Sequence, residues 1–387
     1  MIRKIITESP FEYLRRQKTN EAIAENTVKN WYIARAFVLQ QLKGVSFGPG
    51  SEGHLHAVVD GDSPLMLAVV RQLALSAHFL NYTEQYKFSK PVCKNRSVIT
   101  LVTQKETEKI VGELEEEENL CNLLKFCKYT VFGEERNSDS FIDIELEIVN
   151  GQPDKDGTLW IDEKAVQAYV ELSKEDEIYK IDTRKAVFAR RSYDLGVEID
   201  NLPHLDILDA DRYRRALDIF QRKVLQDKKG QELIDGDWKK SLTDVKLGLS
   251  NLFCSDCFES RDRDIRKAVA AEGKDYEHLS DKEKKAVWGK YSHELSLSEH
   301  SRWVVEKLIM GFLPLNEQER AEYESLFGKK KTDYIKSLKN RSDSPAHLNL
   351  CSYRDLRRTD PDNMKYDGFL MLAIPLILAK TSGNGRR

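Results

Sequence analysis

Hydrophobic and polar positions along the first half of the chain alternate between short apolar runs and apolar stretches of helical length. His54–Val59 and Ser97–Thr103 are short apolar runs that predict strands, and Leu65–Leu80 between them predicts a helix. A strand, a helix and a second strand in this order make one βαβ unit, whose strands are parallel. Because the alternation continues, we predict a doubly wound α/β, Rossmann-like domain over residues 46–208, after a helical segment over residues 1–45.

Further strands are expected later in this domain. Phe141–Val149 alternates apolar and acidic residues, which is typical of a strand with one face on the core and the other in solvent. Three shorter apolar runs also predict strands, and they are Thr158–Ile161, Lys185–Ala189 and Leu205–Leu208.

The turn after the first strand is where a Rossmann-like fold would hold the pyrophosphate of a dinucleotide. If this domain binds NAD(P), Asp60, Gly61 and Ser63 are its candidate cofactor-binding residues. The turn has a single glycine, and the carboxylates of Asp60 and Asp62 would repel phosphate. The second strand ends at Thr103 and lacks the acid that would bind a ribose. We therefore predict a degenerate dinucleotide motif and no bound cofactor.

Apolar residues recur at three- and four-residue spacing in the second half, which predicts a mostly α-helical domain over residues 209–387. Its most distinct element is an amphipathic helix around positions 295–312, with an apolar stripe formed by Leu297, Val304, Val305, Leu308, Ile309 and Phe312. The first half of this helix carries four charged or planar side chains within little more than one turn, namely Glu299, His300, Arg302 and Trp303. Two interpretations are open. The helix is either a core element whose charges are paired, or one wall of a binding pocket.

Composition narrows the class of protein. The 387 residues are 32% charged with a net charge of −3, so the basic excess of a general nucleic-acid binder is missing and direct nucleic-acid binding is not expected. The N-terminus lacks a secretory signal. The longest apolar run, Phe369–Ala379, is interrupted by Pro375 and too short to span a bilayer. We predict a cytoplasmic protein without a membrane segment, whose six cysteines are reduced.

Three segments share part of a metal-binding, catalytic or phosphate-binding motif, and none of them completes it. Cys254 and Cys257 have the spacing of zinc ligands, but no second pair completes a tetrahedral site. His293 and Glu294 do not begin an HExxH motif, because the next histidine is His300. Gly328 and the lysines after it lack the upstream glycine of a phosphate-binding loop. The sequence thus predicts neither a metal site nor catalytic machinery, and we expect a non-enzymatic protein.

A set of residues in the second half occurs in a characteristic order. The set comprises Trp238, Lys246, Ser250, Asn251, Leu297, Glu299, His300, Arg302, Trp303, Gly311, Phe312, His347, Tyr353, Leu356, Tyr366, Asp367, Ile374 and Pro375. In this order the residues resemble the RyR domain, the ryanodine-receptor repeat, which also occurs in bacterial proteins. Two positions depart from the pattern: Phe312 stands where tryptophan is usual, and Leu217–Asp218 stands where Ile-His is usual. Residues 54–208 are in turn similar to the potassium-uptake-like (TrkA-N) Rossmann domain that often precedes it, but lack the glycine fingerprint.

The resemblance implies a function as well as a fold. RyR repeats are small helical modules without catalytic chemistry, and bacterial copies look like ligand-sensing or interaction modules, some of them in antiphage defence. We therefore expect a non-enzymatic sensor of a nucleotide or a nucleotide-derived signal. The candidate ligand-binding residues are Trp238, Ser250, Asn251, Glu299, His300, Arg302, Trp303, His347 and Tyr353. Trp238 and Trp303 can stack on a purine, and Arg302 offers a fork for a phosphate or carboxylate.

Each candidate also has a structural interpretation. Asn251 can cap a loop, His300 can bond a backbone carbonyl, and Arg302 can pair with Glu306 at i,i+4. Two other functions stay open: a protein-interaction adaptor, and an NAD(P)-binding protein or oxidoreductase that uses the Rossmann-like domain. The expected partners are a nucleotide-like small molecule, a protein partner or a second copy of the chain, and the sequence leaves the choice among them open.

Overall fold

The structure, a computed structural model, describes residues 41–87, 90–103, 105–116, 120–137, 140–150 and 253–361. It also describes the backbone of four strands between 158 and 189, residue 250, and individual positions within 31–39 and 364–378. Trp238, Asn251 and the predicted strand Leu205–Leu208 lie outside the described residues.

The strands form one large sheet and three small ones. In chain order the described strands are β1 (His56–Asp60), β2 (Thr83–Lys87), β3 (Lys90–Lys94), β4 (Ser97–Thr103), β5 (Lys128–Val131), β6 (Glu134–Asn137), β7 (Ile144–Asn150), β8 (Thr158–Asp162), β9 (Leu172–Glu175), β10 (Ile178–Asp182), β11 (Val187–Ala189), β12 (Leu313–Pro314) and β13 (Ala346–His347). The main sheet has the spatial order β11-β1-β4-β7-β5-β6. Its first five strands are parallel, and β6 is antiparallel to β5. This parallel-dominated sheet with helices confirms the predicted α/β class.

Some of the described helices begin at a residue whose side chain caps them. They are α1 (Pro64–Ser76), α2 (Thr107–Glu116), α3 (Cys121–Phe126), α4 (Phe258–Ala271), α5 (Asp281–Lys290), α6 (Ser292–Ile309), α7 (Glu317–Ser325), α8 (Lys329–Lys339) and α9 (Tyr353–Thr359). Ser63 caps α1 by accepting a hydrogen bond from the Met66 amide, and Pro64 occupies the first position, where no N–H is needed. Ser280 and Asn316 begin α5 and α7 with capping boxes.

One face of the main sheet lies on the principal hydrophobic core. Alternate residues of β1, β4 and β7 supply this face, namely Ala57, Val59, Ile99, Leu101, Leu146 and Ile148. Helix α1 packs against β1 and β4, as the predicted βαβ unit requires, and α6 lies against α1 and α3. Val304, Val305 and Leu308 of α6 belong to the same cluster. The sheet and the helical half therefore share one core, which fixes the position of α6.

The opposite face of the sheet carries polar side chains that are buried among valines. Glu145 and Glu147 of β7 are only 8% and 2% exposed. Glu147 accepts a hydrogen bond from Thr100 Oγ1 at 2.9 Å, and Glu145 pairs with Lys128 at 2.6 Å. Thr100 Oγ1 also lies 2.7 Å from His56 Nε2. The prediction that this strand is half-exposed is therefore wrong. The acids can be buried because partners on neighbouring strands compensate for their desolvation.

The smaller sheets differ more from the prediction. Strand β8 occurs at the predicted Thr158–Ile161, but it pairs with β10 in a separate antiparallel sheet. The hairpin of β2 and β3 and the antiparallel strand β6 had no counterpart in the predicted elements. The short parallel pair of β12 and β13 places Pro314 opposite His347, which brings His347 to the C-terminal end of α6.

Part of the apolar run near the C-terminus packs inside the protein. Met371 and Ile374 are buried in a second cluster together with Phe258, Trp288 and Leu295. A bilayer span would require a longer apolar helix than any that the described part of the chain contains.

Candidate functional site

Helix α6 arranges the predicted ligand-binding residues on two neighbouring stripes. Glu299, Arg302 and Glu306 recur at intervals of three and four and are all buried. His300, Trp303 and Lys307 follow the same spacing one position further along, so they face about 100° away. The first stripe points into the protein, and the second reaches the surface through Trp303 and Lys307, which are half-buried.

The first stripe is a ladder of ion pairs. Arg302 donates from Nε and Nη2 to the two carboxylate oxygens of Glu299, at 3.0 and 2.9 Å. Its Nη1 donates to Glu306 Oε2 at 2.6 Å. Burial alone would lower the pKa of Arg302, but the two carboxylates outweigh it and hold that pKa well above the usual value. The pairing of Arg302 with Glu306 is the structural interpretation considered above, and the fork of Arg302 is turned inward.

Residues from other elements complete this ladder. Ser250 donates to Glu306 Oε2 at 3.1 Å, and Lys307 donates to Glu306 Oε1 at 2.6 Å. At the other end, Arg261 of α4 pairs with Glu299 at 3.0 Å. The pKa of Glu306 is lowered, because the charges of Lys307 and Arg302 more than offset its burial. Ser250, Glu299 and Arg302 therefore belong to one buried network, in which Arg302 contacts Glu299 and both Arg302 and Ser250 contact Glu306.

The second stripe is part of a row of aromatic rings. The ring pairs and their centroid distances are His293–Tyr353 at 5.7 Å, Tyr353–His300 at 5.6 Å, His300–Trp303 at 6.2 Å, Trp303–His347 at 4.9 Å and His347–Phe312 at 6.4 Å. The predicted residues Tyr353, His300, Trp303 and His347 therefore lie in one continuous cluster. Their interplanar angles range from stacked to edge-on, as expected for aromatic pairs.

The buried end of the row is held by hydrogen bonds. His300 Nε2 lies 2.8 Å from the carbonyl oxygen of Cys351 and donates to it. Burial lowers the pKa of His300 to about 4, so the imidazole is neutral at pH 7. Burial also raises the pKa of Tyr353. These two side chains hold the row in place, and the structural interpretation of His300 given above agrees with this geometry.

The surface end of the row combines rings with cations. Lys307 Nζ lies 5.8 Å from the centroid of Trp303 and 5.9 Å from that of Phe312. Lys339 of α8 is half-buried and makes no hydrogen bond or ion pair within the described residues. Its pKa is lowered by burial and then by the charge of Lys307. The pKa of His347 is lowered well below its usual value by burial and by both lysines. Positive charge is therefore in excess beside Trp303.

The turn after β1 has its polar groups engaged. The amide of Gly61 donates to the carbonyl of Val102 at 2.9 Å, and Ser63 is occupied as the cap of α1. The carboxylate of Asp62 accepts a hydrogen bond from Thr103 at 2.6 Å. Asp60 is the last residue of β1. A proline at the first position of α1 removes one of the amides that would bind pyrophosphate, so the local geometry weighs against a dinucleotide.

The cysteines of the Cys-x-x-Cys pair are structural. Cys254 and Cys257 are both buried free thiols. Burial raises the pKa of Cys257 to about 11, which disfavours the thiolate that a metal would need. Within the described ranges, no group of three or more His, Cys, Asp or Glu side chains is placed to bind a metal ion.

Sequence reasoning missed both lysines of the surface end. Lys307 had a usable signal, because it follows Trp303 at i+4 on the same stripe. Lys339 had none, since a different helix brings it to the site. Comparisons of the chain with protein-family models, curated proteins and solved structures gave no match.

Proposed function

We propose that the α-helical half of this chain is a ligand-sensing module, similar to the RyR domain, that binds a nucleotide or a nucleotide-derived signal without catalysing a reaction. The binding surface is formed by Trp303, His347 and the two lysines beside them. The α/β half acts as a scaffold or relay, in a bacterial signalling process such as antiphage defence. The observation that carries the proposal is a half-buried tryptophan beside half-buried positive charge.

The physical argument rests on what a nucleotide offers. A base that stacks on an aromatic side chain gains about 1–3 kcal/mol, and every base has a face that can stack. The indole of Trp303 is half-buried and already fixed by its contacts with His300 and His347, so little conformational entropy is lost when it binds. The neighbouring lysines attract the negative charge of a nucleotide. The ring and the cations together match a planar anion.

Under this proposal the inner stripe has a positioning role. Arg302 pairs with Glu299 and Glu306 in the interior, and Ser250 donates to Glu306, so these residues hold α6 and do not contact the ligand. His300 and Tyr353 support Trp303 from the buried side of the row. Among the predicted residues that the structure describes, Trp303 and His347 are left to contact a ligand.

Isothermal titration calorimetry with a panel of linear and cyclic nucleotides tests the proposal. At least one nucleotide should bind the wild type, and Trp303→Ala should weaken that binding about ten-fold or more, because stacking is lost. Phe327→Ala is a matched control, since Phe327 is an aromatic residue that is 81% exposed between α7 and α8. The proposal is overturned if no nucleotide binds, or if Trp303→Ala binds as the wild type does.

A function that depends on NAD(P) is less well supported. The turn after β1 combines a capping serine, a proline at the first helical position and the carboxylate of Asp62. A thermal-shift experiment with NAD(H) and NADP(H) separates the two functions, because only an NAD(P)-binding protein would be stabilised through this turn.

A further inference from the structure

We propose that Lys307 and Lys339 form a subsite for a phosphate monoester beside the indole of Trp303. The inference rests on the proposed function, and it adds the chemical class of the ligand. A nucleoside alone would use the aromatic surface, whereas a ligand with a terminal phosphate would use both the aromatic surface and the two lysines.

The first argument is the state of Lys339. The side chain is half-buried near the end of α8, so part of its hydration is lost. Among the described residues it has no hydrogen-bond acceptor and no ion pair. A desolvated ammonium without an acceptor is unfavourable, and an anion at this place would supply the missing partner.

The second argument is that several elements converge on the same place. Lys307 Nζ lies at nearly equal distance from the Trp303 and Phe312 rings, at 5.8 and 5.9 Å. His347 contacts the same two rings, at 4.9 and 6.4 Å. Helix α8, which carries Lys339, packs against the strand β13 that carries His347. Lys307 therefore lies over Trp303, and Lys339 belongs to a different helix that packs on the strand of His347, the ring neighbour of Trp303.

The third argument is the balance of charge around the subsite. Among the described residues, one carboxylate pairs with Lys307 and the charge of another acts on Lys339. Glu306 is fully buried and divides its oxygens between Arg302 and Lys307. The charge of Asp360 acts on Lys339, although the two side chains form no ion pair in the part of the chain that is described. The neighbouring His347 is neutral, so it adds no positive charge of its own and can donate or accept a hydrogen bond.

The chemistry of the lysines selects the anion. A lysine ammonium binds an anion as a compact point charge, so the number of charges on the ligand matters more than its shape. A phosphate monoester carries about −1.5 to −2 charges at pH 7, which two ammonium groups can balance. A phosphodiester carries only one charge and would leave one lysine unbalanced. The ligand class is therefore a planar base with a terminal phosphate.

The test measures phosphate and the base separately. Inorganic phosphate, AMP and adenosine are titrated into the full chain by calorimetry. We expect AMP to bind more tightly than either fragment. Lys339→Met should weaken the binding of AMP and of phosphate about ten-fold or more and leave the binding of adenosine unchanged. Lys336→Met is the matched control, because Lys336 is exposed on the same helix. Lys339→Arg keeps the charge and should keep most of the binding, which shows that the site is folded.

The outcomes distinguish the subsite from the proposed function. If AMP binds the wild type and Lys339→Met equally well, the subsite is overturned and the nucleotide function stands. If the binding of phosphate depends on Lys339, while the binding of no nucleoside or nucleotide depends on Trp303, the subsite stands and the nucleotide function is overturned. If phosphate does not bind the wild type at millimolar concentration, the subsite is overturned.

Discussion

Arg302 and Glu299 form a two-point ion pair within one turn of α6, with N–O distances of 3.0 and 2.9 Å. Both residues are at most 2% exposed. Such a pair costs desolvation energy, so its main effect is to fix geometry and not to add net stability. Arg261 of α4 also pairs with Glu299, so this group of ion pairs joins α6 to a neighbouring helix and keeps the adjacent stripe, with Trp303, at the surface.

Removing one partner of this ladder should be costly. Arg302→Met leaves the buried carboxylates of Glu299 and Glu306 without their shared cation, so we expect a loss of about 3–5 kcal/mol in the free energy of unfolding. Urea denaturation measures it. Arg357→Met removes an exposed arginine of α9 and should change stability by less than about 0.5 kcal/mol. A loss below about 1 kcal/mol for Arg302→Met would contradict the buried ladder.

The buried His300 should make stability depend on pH. Its pKa is about 4 in the folded protein and near 6.5 in the unfolded chain. Between these values the unfolded chain binds a proton at this site that the folded protein does not. Stability therefore falls as the pH is lowered from about 6.5 to about 4, by up to about 1.4 kcal/mol per pH unit. The carboxylates of Glu299 and Asp367 lie near the imidazole of His300 and favour its charged form. Burial has a larger effect on the pKa of His300 than the charge of Glu299 has, so the pKa is lowered.

Urea denaturation between pH 7 and pH 4 checks this dependence. His300→Gln keeps a donor for the carbonyl of Cys351 and removes the titrating group, so its stability should fall less steeply with decreasing pH than that of the wild type. His278→Gln replaces a histidine whose side chain is 84% exposed and should follow the wild type. Parallel curves for His300→Gln and the wild type would show that His300 is not the group responsible.

Two threonines on the polar face of the sheet should respond in opposite ways to the same change. Thr100 donates to Glu147 and contacts His56, so Thr100→Val leaves a buried carboxylate short of a donor and should cost about 1–3 kcal/mol. Thr130 lies opposite Glu147 on β5, and its buried hydroxyl has no hydrogen-bond partner in the part of the chain that is described. Thr130→Val should leave the stability of the protein unchanged or increase it, because no hydrogen bond of this hydroxyl within the described residues is lost. Equal effects in thermal unfolding would refute this view of the polar face.

The loop before β1 is packed closely against α4. A Cβ at Gly48 would lie 2.6 Å from the backbone oxygen of Asp264, whose carboxylate accepts hydrogen bonds from Ser46 and Phe47. Gly48→Ala must displace this loop and should destabilise the protein by about 1–3 kcal/mol. Gly289→Ala in α5 meets open space and should stabilise it by up to about 1 kcal/mol. Differential scanning calorimetry compares the thermal stability of the two variants with that of the wild type. A Gly48→Ala protein as stable as the wild type would mean that the loop is not held in this position.

Local periodicity was sufficient for the elements that form the frame of the fold. The run Ser97–Thr103 became β4 with the same limits, and the stripe around 295–312 became α6 at Ser292–Ile309. The i,i+4 spacing also showed that Arg302 could reach Glu306. These features depend on residues within one turn or one strand of each other, so the sequence contains the needed information.

The sequence by itself determined that a parallel α/β sheet forms, that α6 is a helix with an apolar stripe, and that Trp303 stands one residue beyond an ion-pairing stripe. Only the tertiary structure decided which polar groups are buried and which cations meet. Glu147 lies in the interior because Thr100, on a neighbouring strand, hydrogen-bonds to it. The charge of Lys339 acts on His347 because α8, which carries Lys339, packs against β13. Local pattern reports which face of an element is apolar, whereas burial and charge pairing depend on what the rest of the chain lays against that face.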